Sequence, residues 1–143
     1  MLGIYDDHGI RFEYPFEWEI EVGEDGPRTS VTVQSSDGPA FAIVTIDASR
    51  PAPGAMADEA MTALREEYPQ LESSPISESI DGHPSVGNDV EFFSLDMTNN
   101  CVIRCFETPR RTVFVLTQWS DSEENDPESL LAALRRSIEE TDS

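Results

Sequence analysis

The chain has 143 residues, 29 of them acidic and nine of them arginine, with no lysine anywhere and a formal net charge of −20. That length is one domain's worth, enough to bury roughly two thirds of the unfolded surface without disulfide or metal staples. The missing lysine excludes Schiff-base chemistry and a Walker phosphate loop, and so negative a field repels nucleic-acid backbones and anionic membrane surfaces.

The first ten residues, MLGIYDDHGI, lack the basic and apolar regions of a leader, and no segment approaches the ~18 apolar residues of a membrane span. The expectation is a soluble, cytoplasmic protein that does not insert into membranes. In GIRFEYP, Ile10, Phe12 and Tyr14 alternate with Arg11 and Glu13, the period-two pattern of a half-buried strand that Pro15 stops. WEIEV repeats it with Trp18, Ile20 and Val22 inward. After the turn GEDGP comes RTSVTVQ with Val31 and Val33 inward. These three strands read as wet on one side. AFAIVTIDA differs: Ala42, Val44 and Ile46 share one face and Phe41 and Ile43 the other, so it reads as covered on both.

The linker RPAPG precedes ADEAMTALREEY, a helix of about three to four turns with Ala57, Ala60, Met61, Leu64 and Tyr68 on one stripe. Pro75 makes LESSPISESI an edge strand or a loop, and Asp81-Gly82 is a turn into a long strand. Val90 and Phe92 then oppose Phe93 and Leu95. Beyond a turn placed at Met97 to Asn100, Val102 and Phe106 oppose Cys101, Ile103 and Cys105. Pro109 to Arg111 return the chain into TVFVLTQW, where Val113, Val115 and Trp119 oppose Phe114 and Leu116. Asp126 caps a last helix that starts at Pro127, with Leu130, Leu131, Leu134 and Ile138 on its stripe through to the C-terminus. Strands apolar on both faces need cover on both, and two helices with one stripe each supply it. The expected fold is therefore α+β, a three-layer α-β-α sandwich with a mainly antiparallel sheet and one main helix on each face, spanning 1–143 as a single domain.

The element Phe12, Tyr14, Pro15 and Trp18, followed by Gly82, His83 and Pro84 at a turn and a long hairpin from Val90 to Thr108, resembles the PsbP-like superfamily over about residues 9 to 140. The resemblance implies the same sandwich. Members are mostly binding proteins, docking on a photosystem or a small GTPase, and some bacterial relatives chaperone apolar segments of secreted effectors. No catalytic constellation is shared among them, and the acidic surface here departs from the lysine-rich surface of the photosystem protein.

Candidate chemistry is sparse. Cys101 and Cys105 share a strand face but lie roughly 13 Å apart at ~3.3 Å per residue, too far to pair, and read as small buried residues. His8 and His83 are the two histidines. His83 follows a turn, a place where a base can be exposed, and would need a nucleophile and an orienting carboxylate to serve a hydrolase. The acids of SDSEENDPE lack the ligand spacing of a calcium loop and suit a helix N-terminus. Arg104 shares an apolar face with Val102 and Phe106, so it must reach solvent, pair with an acid or look into a cleft whose wall Trp119 could form. The sequence thus points to a non-enzymatic protein-binding module using the part of the sheet no helix covers, with Arg104 and Trp119 as candidate contacts and no cofactor or metal. A chaperone-like binder of apolar segments of secreted proteins and a small hydrolase using His83 are the alternatives.

Overall fold

The computed structural model of the chain describes residues 1–141. Ten strands and two helices follow in order: β1 (Leu2–Asp7), β2 (Ile10–Pro15), β3 (Glu19–Asp25), β4 (Arg28–Gln34), β5 (Phe41–Asp47), α1 (Pro53–Glu67), β6 (Glu72–Ile80), β7 (His83–Ser94), β8 (Met97–Glu107), β9 (Thr112–Ser120), α2 (Pro127–Ser137) and β10 (Glu139–Glu140). Seven strands form one sheet in the order β3-β4-β5-β9-β8-β7-β6, and β1-β2-β10 form a small second sheet. Every pairing is antiparallel.

Because side chains alternate along a strand, this register sorts the apolar residues into two cores. Val31, Val33, Val44, Phe106, Val113 and Val115 face Leu131, Leu134 and Ile138 of α2 together with Tyr5, Ile10 and Phe12 of the small sheet. Cys101, Ile103, Cys105, Val90, Phe92 and Phe114 face Met56, Ala57 and Met61 of α1. The sandwich with a helix on each face is thus the observed architecture. The helix α1 already begins at Pro53, inside the expected linker, because Pro suits a first helical position.

Several local expectations change. The strand Ile10–Pro15 leaves the main sheet to pair with β1, which has few inward apolar residues and was not expected, and with β10. Accordingly α2 stops at Ser137, and Glu139–Glu140 form a short strand instead of a continued helix; residues 142 and 143 lie outside the described ones. Ile20 and Val22 point to the same face as Val31 and Val33, their cross-strand partners, yet both are exposed, since β3 is an edge strand beyond the reach of α2. The turn between β7 and β8 falls at Leu95 and Asp96, both at positive φ (55° and 61°), and Met97 to Asn100 instead pair with β7. An apolar residue in the left-handed region is rare, which is why Leu95 reads as strand in the sequence. Phe93 and Leu95 are 70% and 85% exposed, so the far end of the β7–β8 hairpin is not covered on both sides.

Asp126 does cap α2: its carboxylate accepts from the Ser129 amide, and Pro127 takes the first helical position. Asp126→Ala is expected to cost about 1 kcal/mol in urea denaturation, with Asp126→Asn near neutral because asparagine both caps and tolerates the positive φ found here. Equal losses in the two variants would mean that the charge, and not the capping hydrogen bond, does the stabilising.

Candidate interaction surface

On the α2 side of the large sheet, the helix packs on β9 and on β2 of the small sheet and reaches Glu78 of β6 through Arg135, while Ile76 of β6 and Phe93 of β7 stay exposed. Between helix and sheet lies a cleft of about 350 Å³, lined from below by Asp89, Val102, Arg104 and Trp119 and from the helix by Glu128, Ser129, Ala132, Arg135 and Arg136. Glu128, Ala132, Arg135 and Arg136 fall on one stripe of α2, spaced i, i+4, i+7 and i+8, and the small side chain at Ala132 keeps the gap open. The two sequence candidates, Arg104 and Trp119, thus meet at one hollow.

Their roles differ. Arg104 is only 3% exposed. Its Nε donates to Glu78 Oε1 at 3.0 Å, its Nη2 to Asp89 Oδ1 at 2.8 Å, and its Nη1 to the carbonyls of Ile103 and Asn88. The reach to Glu78, two strands away, crosses β7 at Gly87. That residue stands between Arg104 and Ile76 in the register, and the absence of a side chain leaves the guanidinium a path across β7. Glu78 Oε1 also accepts from Arg135 Nε at 2.9 Å, so one carboxylate joins two buried arginines. Burial alone would raise the Glu78 pKa, but the charges and hydrogen bonds of Arg135 and Arg104 outweigh it and hold the carboxyl below its ordinary value. Trp119 is half-buried and packs against the α2-side core at the rim of the cleft.

Beyond the helix, the register lays out the open sheet surface. Trp119 pairs with Asn100, Asn100 with Glu91 and Glu91 with Glu72; the neighbouring row carries Phe93 opposite Thr98. An exposed phenylalanine therefore sits among acids, a short way from the tryptophan.

The other candidates lead elsewhere. His83 stacks on Phe106 with ring centroids 5.7 Å apart, and its buried Nδ1 has no hydrogen-bond partner, so no carboxylate orients it as a base. His8 forms a different chain, its Nδ1 hydrogen-bonded with Tyr5 Oη at 2.6 Å and its Nε2 donating to Glu24 Oε1 at 3.1 Å. Burial pushes the Tyr5 hydroxyl pKa up, with Asp7 and Glu24 adding to it, which is the wrong direction for a nucleophile. Cys101 and Cys105 are fully buried, and burial pushes both thiols up to about 12, which leaves them inert. In the acidic loop, Glu123 accepts the Ser120 and Ala40 amides and Asp121 binds the Asn100 side chain. Among the described residues no group of three or more potential ligands is placed for a metal, and no helix is long and apolar enough to cross a membrane.

Two larger clefts exist, one of about 540 Å³ between α1 and β3–β5 and one of about 800 Å³ around Trp18 and Leu130. The Arg104 cleft is singled out because two of the three buried charged residues among those described, Arg104 and Arg135, line it; the third is Asp47. Glu78, Asp89, Gly87 and Arg135 left no mark in the sequence. Each looks ordinary for its position, and only the pairing of β6, β7 and β8 brings them to Arg104.

No family model matches the chain, and no curated protein matches it significantly. Solved structures do. Cyanobacterial PsbP from Synechocystis sp. PCC 6803 superposes with a TM-score of 0.68 at 13% identity, covering 97% of this chain and 92% of that one. LpqN of Mycobacterium tuberculosis, involved in cell envelope biogenesis, gives 0.62 at 14% identity with 99% and 91% covered. A protein from Bacteroides thetaiotaomicron gives 0.60 at 8% identity; there the match takes 92% of this chain but only 45% of the other. At such identities the likeness is one of architecture, and it agrees with the sheet order and helix placement described above: the chain has the PsbP-like fold.

Proposed function

We propose that the protein is a non-enzymatic module that binds another protein on the open sheet face beside α2. The observation that carries this reading is the pair of aromatic residues on that face, Phe93 at 70% exposure and Trp119 at the mouth of the cleft, where a monomer gains nothing by exposing a large apolar ring. Trp119 and Phe93 are the contacts. Arg104, with all three nitrogens engaged, shapes the floor on which they stand. Support also comes from neighbours of the same fold, one of which is a protein of cell envelope biogenesis. The charged lining of the cleft does not suit a chaperone for wholly apolar segments, and His83 lacks the partner that a hydrolase needs.

Affinity capture from the native host followed by mass spectrometry tests the reading. A partner retained by the unaltered chain is expected to be lost on Phe93→Ser and on Trp119→Ala, each weakening binding by tenfold or more as anchoring aromatics do. Phe93 is exposed, so its replacement leaves the fold intact. A partner held equally by both variants would remove this face from consideration.

A further inference from the structure

Building on that docking surface, we infer that the cleft beside Trp119 receives a carboxylate of the partner, and that Arg135 and Arg136 supply the groups that hold it. Arg104 is closed to a ligand, since each of its nitrogens already donates within the protein. Arg135 is not. Its side chain is 9% exposed and its Nε is engaged by Glu78, but its two terminal nitrogens have no hydrogen-bond partner among the described residues and are not among the buried unpartnered atoms, and the residue lines the cleft. Arg136, the next residue, is exposed, lines the same cleft and makes no ion pair among the described residues. Three of the nine arginines of a chain with net charge −20 therefore border one hollow. Asp89 and Glu128 share the lining, and Glu78 pairs with both Arg104 and Arg135, so Arg136 is the arginine there without an ion pair among the described residues.

The terminal nitrogens of a guanidinium present two parallel N–H groups that match the two oxygens of a carboxylate. Asp89 also lines the cleft, but Arg104 neutralises it at 2.8 Å. Glu128 also lines the cleft from the helix, and its negative charge opposes a dianion such as phosphate about twice as strongly as a single carboxylate. Val102 and Trp119 supply the small apolar part of a mainly polar lining, enough for a carboxylate with a modest apolar group beside it. The acidic remainder of the surface does not forbid this, because at ~0.15 M ionic strength charges more than about 8 Å away are largely screened.

The test is a titration of the full chain at about 0.15 M salt with N-acetyl-leucine and with its amide, read from the arginine Nε and tryptophan indole resonances by NMR. The acid is expected to shift the Arg135 Nε and Trp119 signals, and the amide to bind at least about tenfold more weakly. Arg135→Lys, which keeps the charge and its reach to Glu78 but loses the fork, is expected to weaken the acid about tenfold. Arg136→Gln, at an exposed position that leaves the fold undisturbed, is expected to weaken it about threefold. N-acetyl-glutamate α-amide separates a side-chain carboxylate from a chain terminus: tighter binding than N-acetyl-leucine assigns the site to an acidic side chain, weaker binding to a C-terminus. Equal binding of acid and amide, no binding of either, displacement by equimolar phosphate, or undiminished binding in both arginine variants overturns the inference. Should a captured partner depend on Phe93 and Trp119 yet survive both arginine variants, the carboxylate assignment falls while the docking face stands. Should the carboxylate bind while no variant affects any partner, the docking face falls instead.

Discussion

Gly87→Ala is expected to abolish folding or to cost more than about 4 kcal/mol, the largest effect of any single methyl group in this chain. A Cβ placed on Gly87 comes within 1.8 Å of the Ile103 carbonyl oxygen and 2.6 Å of its carbon, both backbone atoms of the neighbouring strand. No rotamer change relieves that contact. The pairing of β7 with β8 would have to open, and with it the path that Arg104 takes to Glu78. The φ of Gly87 is not in the left-handed region, so the glycine is required for close approach and not for its conformational freedom. Gly54→Ala serves as the control: at the start of α1 nothing lies within 4 Å of the added methyl, and the change should stabilise by roughly 0.5–1 kcal/mol through helix propensity. Soluble yield and thermal melting of the two variants decide the matter. A Gly87→Ala protein that melts with the unaltered chain would show that the two strands do not approach as closely as described.

Glu78→Ala is expected to be nearly as severe, at about 3–5 kcal/mol, because it leaves two buried guanidinium groups short of their shared counter-charge. The loss should fall toward the lower end on the Arg104 side, which keeps Asp89, and come mainly from Arg135, which keeps no carboxylate among the described residues. The same carboxyl predicts a pH dependence with a definite sign. Its folded-state pKa lies below the ordinary value of 4.5, so the unfolded chain takes up the proton first. The stabilisation it contributes is then present in full above about pH 4.5 and is lost as pH falls through the lower folded value. Urea midpoints measured from pH 7 down to pH 3 should therefore decline in the unaltered chain. Glu78→Gln should start lower at pH 7 and show a shallower decline, other carboxyls supplying what remains. Parallel pH profiles for the two proteins would remove Glu78 from the acid response. Replacing Glu78, Arg104 and Arg135 together by leucine and methionine should cost far less than Glu78→Ala alone, because no uncompensated charge then remains buried.

These two positions also mark where reading the chain residue by residue stops. Alternation at Val113, Val115 and Phe114, or at Cys101, Val102 and Ile103, is a one-dimensional signal, and the structure divides those residues between the α2 and α1 cores as their spacing requires. Asp81-Gly82, with φ of 53° and 73°, and the cap at Asp126 are local chemistry that any partner strand would accept. The turn at Leu95 is different. Nothing in its side chain favours positive φ, and the tight hairpin imposes it, so the sequence pattern puts the turn a few residues late. Ile20 and Val22 carry a strand's apolar pattern and still meet solvent, because a period says which residues share a face and nothing about whether a helix lies over it.

The sequence by itself determined the layering: a mainly antiparallel sheet with one helix on each face, the inert buried cysteines and the absence of any chemistry that needs lysine. Those properties follow from side-chain period, turn residues and composition, which act between near neighbours along the chain. What only the tertiary structure decided was that Arg104 has every nitrogen engaged while Arg135 has only its Nε engaged. Glu78, Asp89 and Arg135 lie 26, 15 and 31 residues from it in number, and their meeting depends on strand order, register and the angle of α2. Charge pairing acts through a few ångströms of space regardless of chain separation, so no pattern along the sequence could have shown which guanidinium was already satisfied.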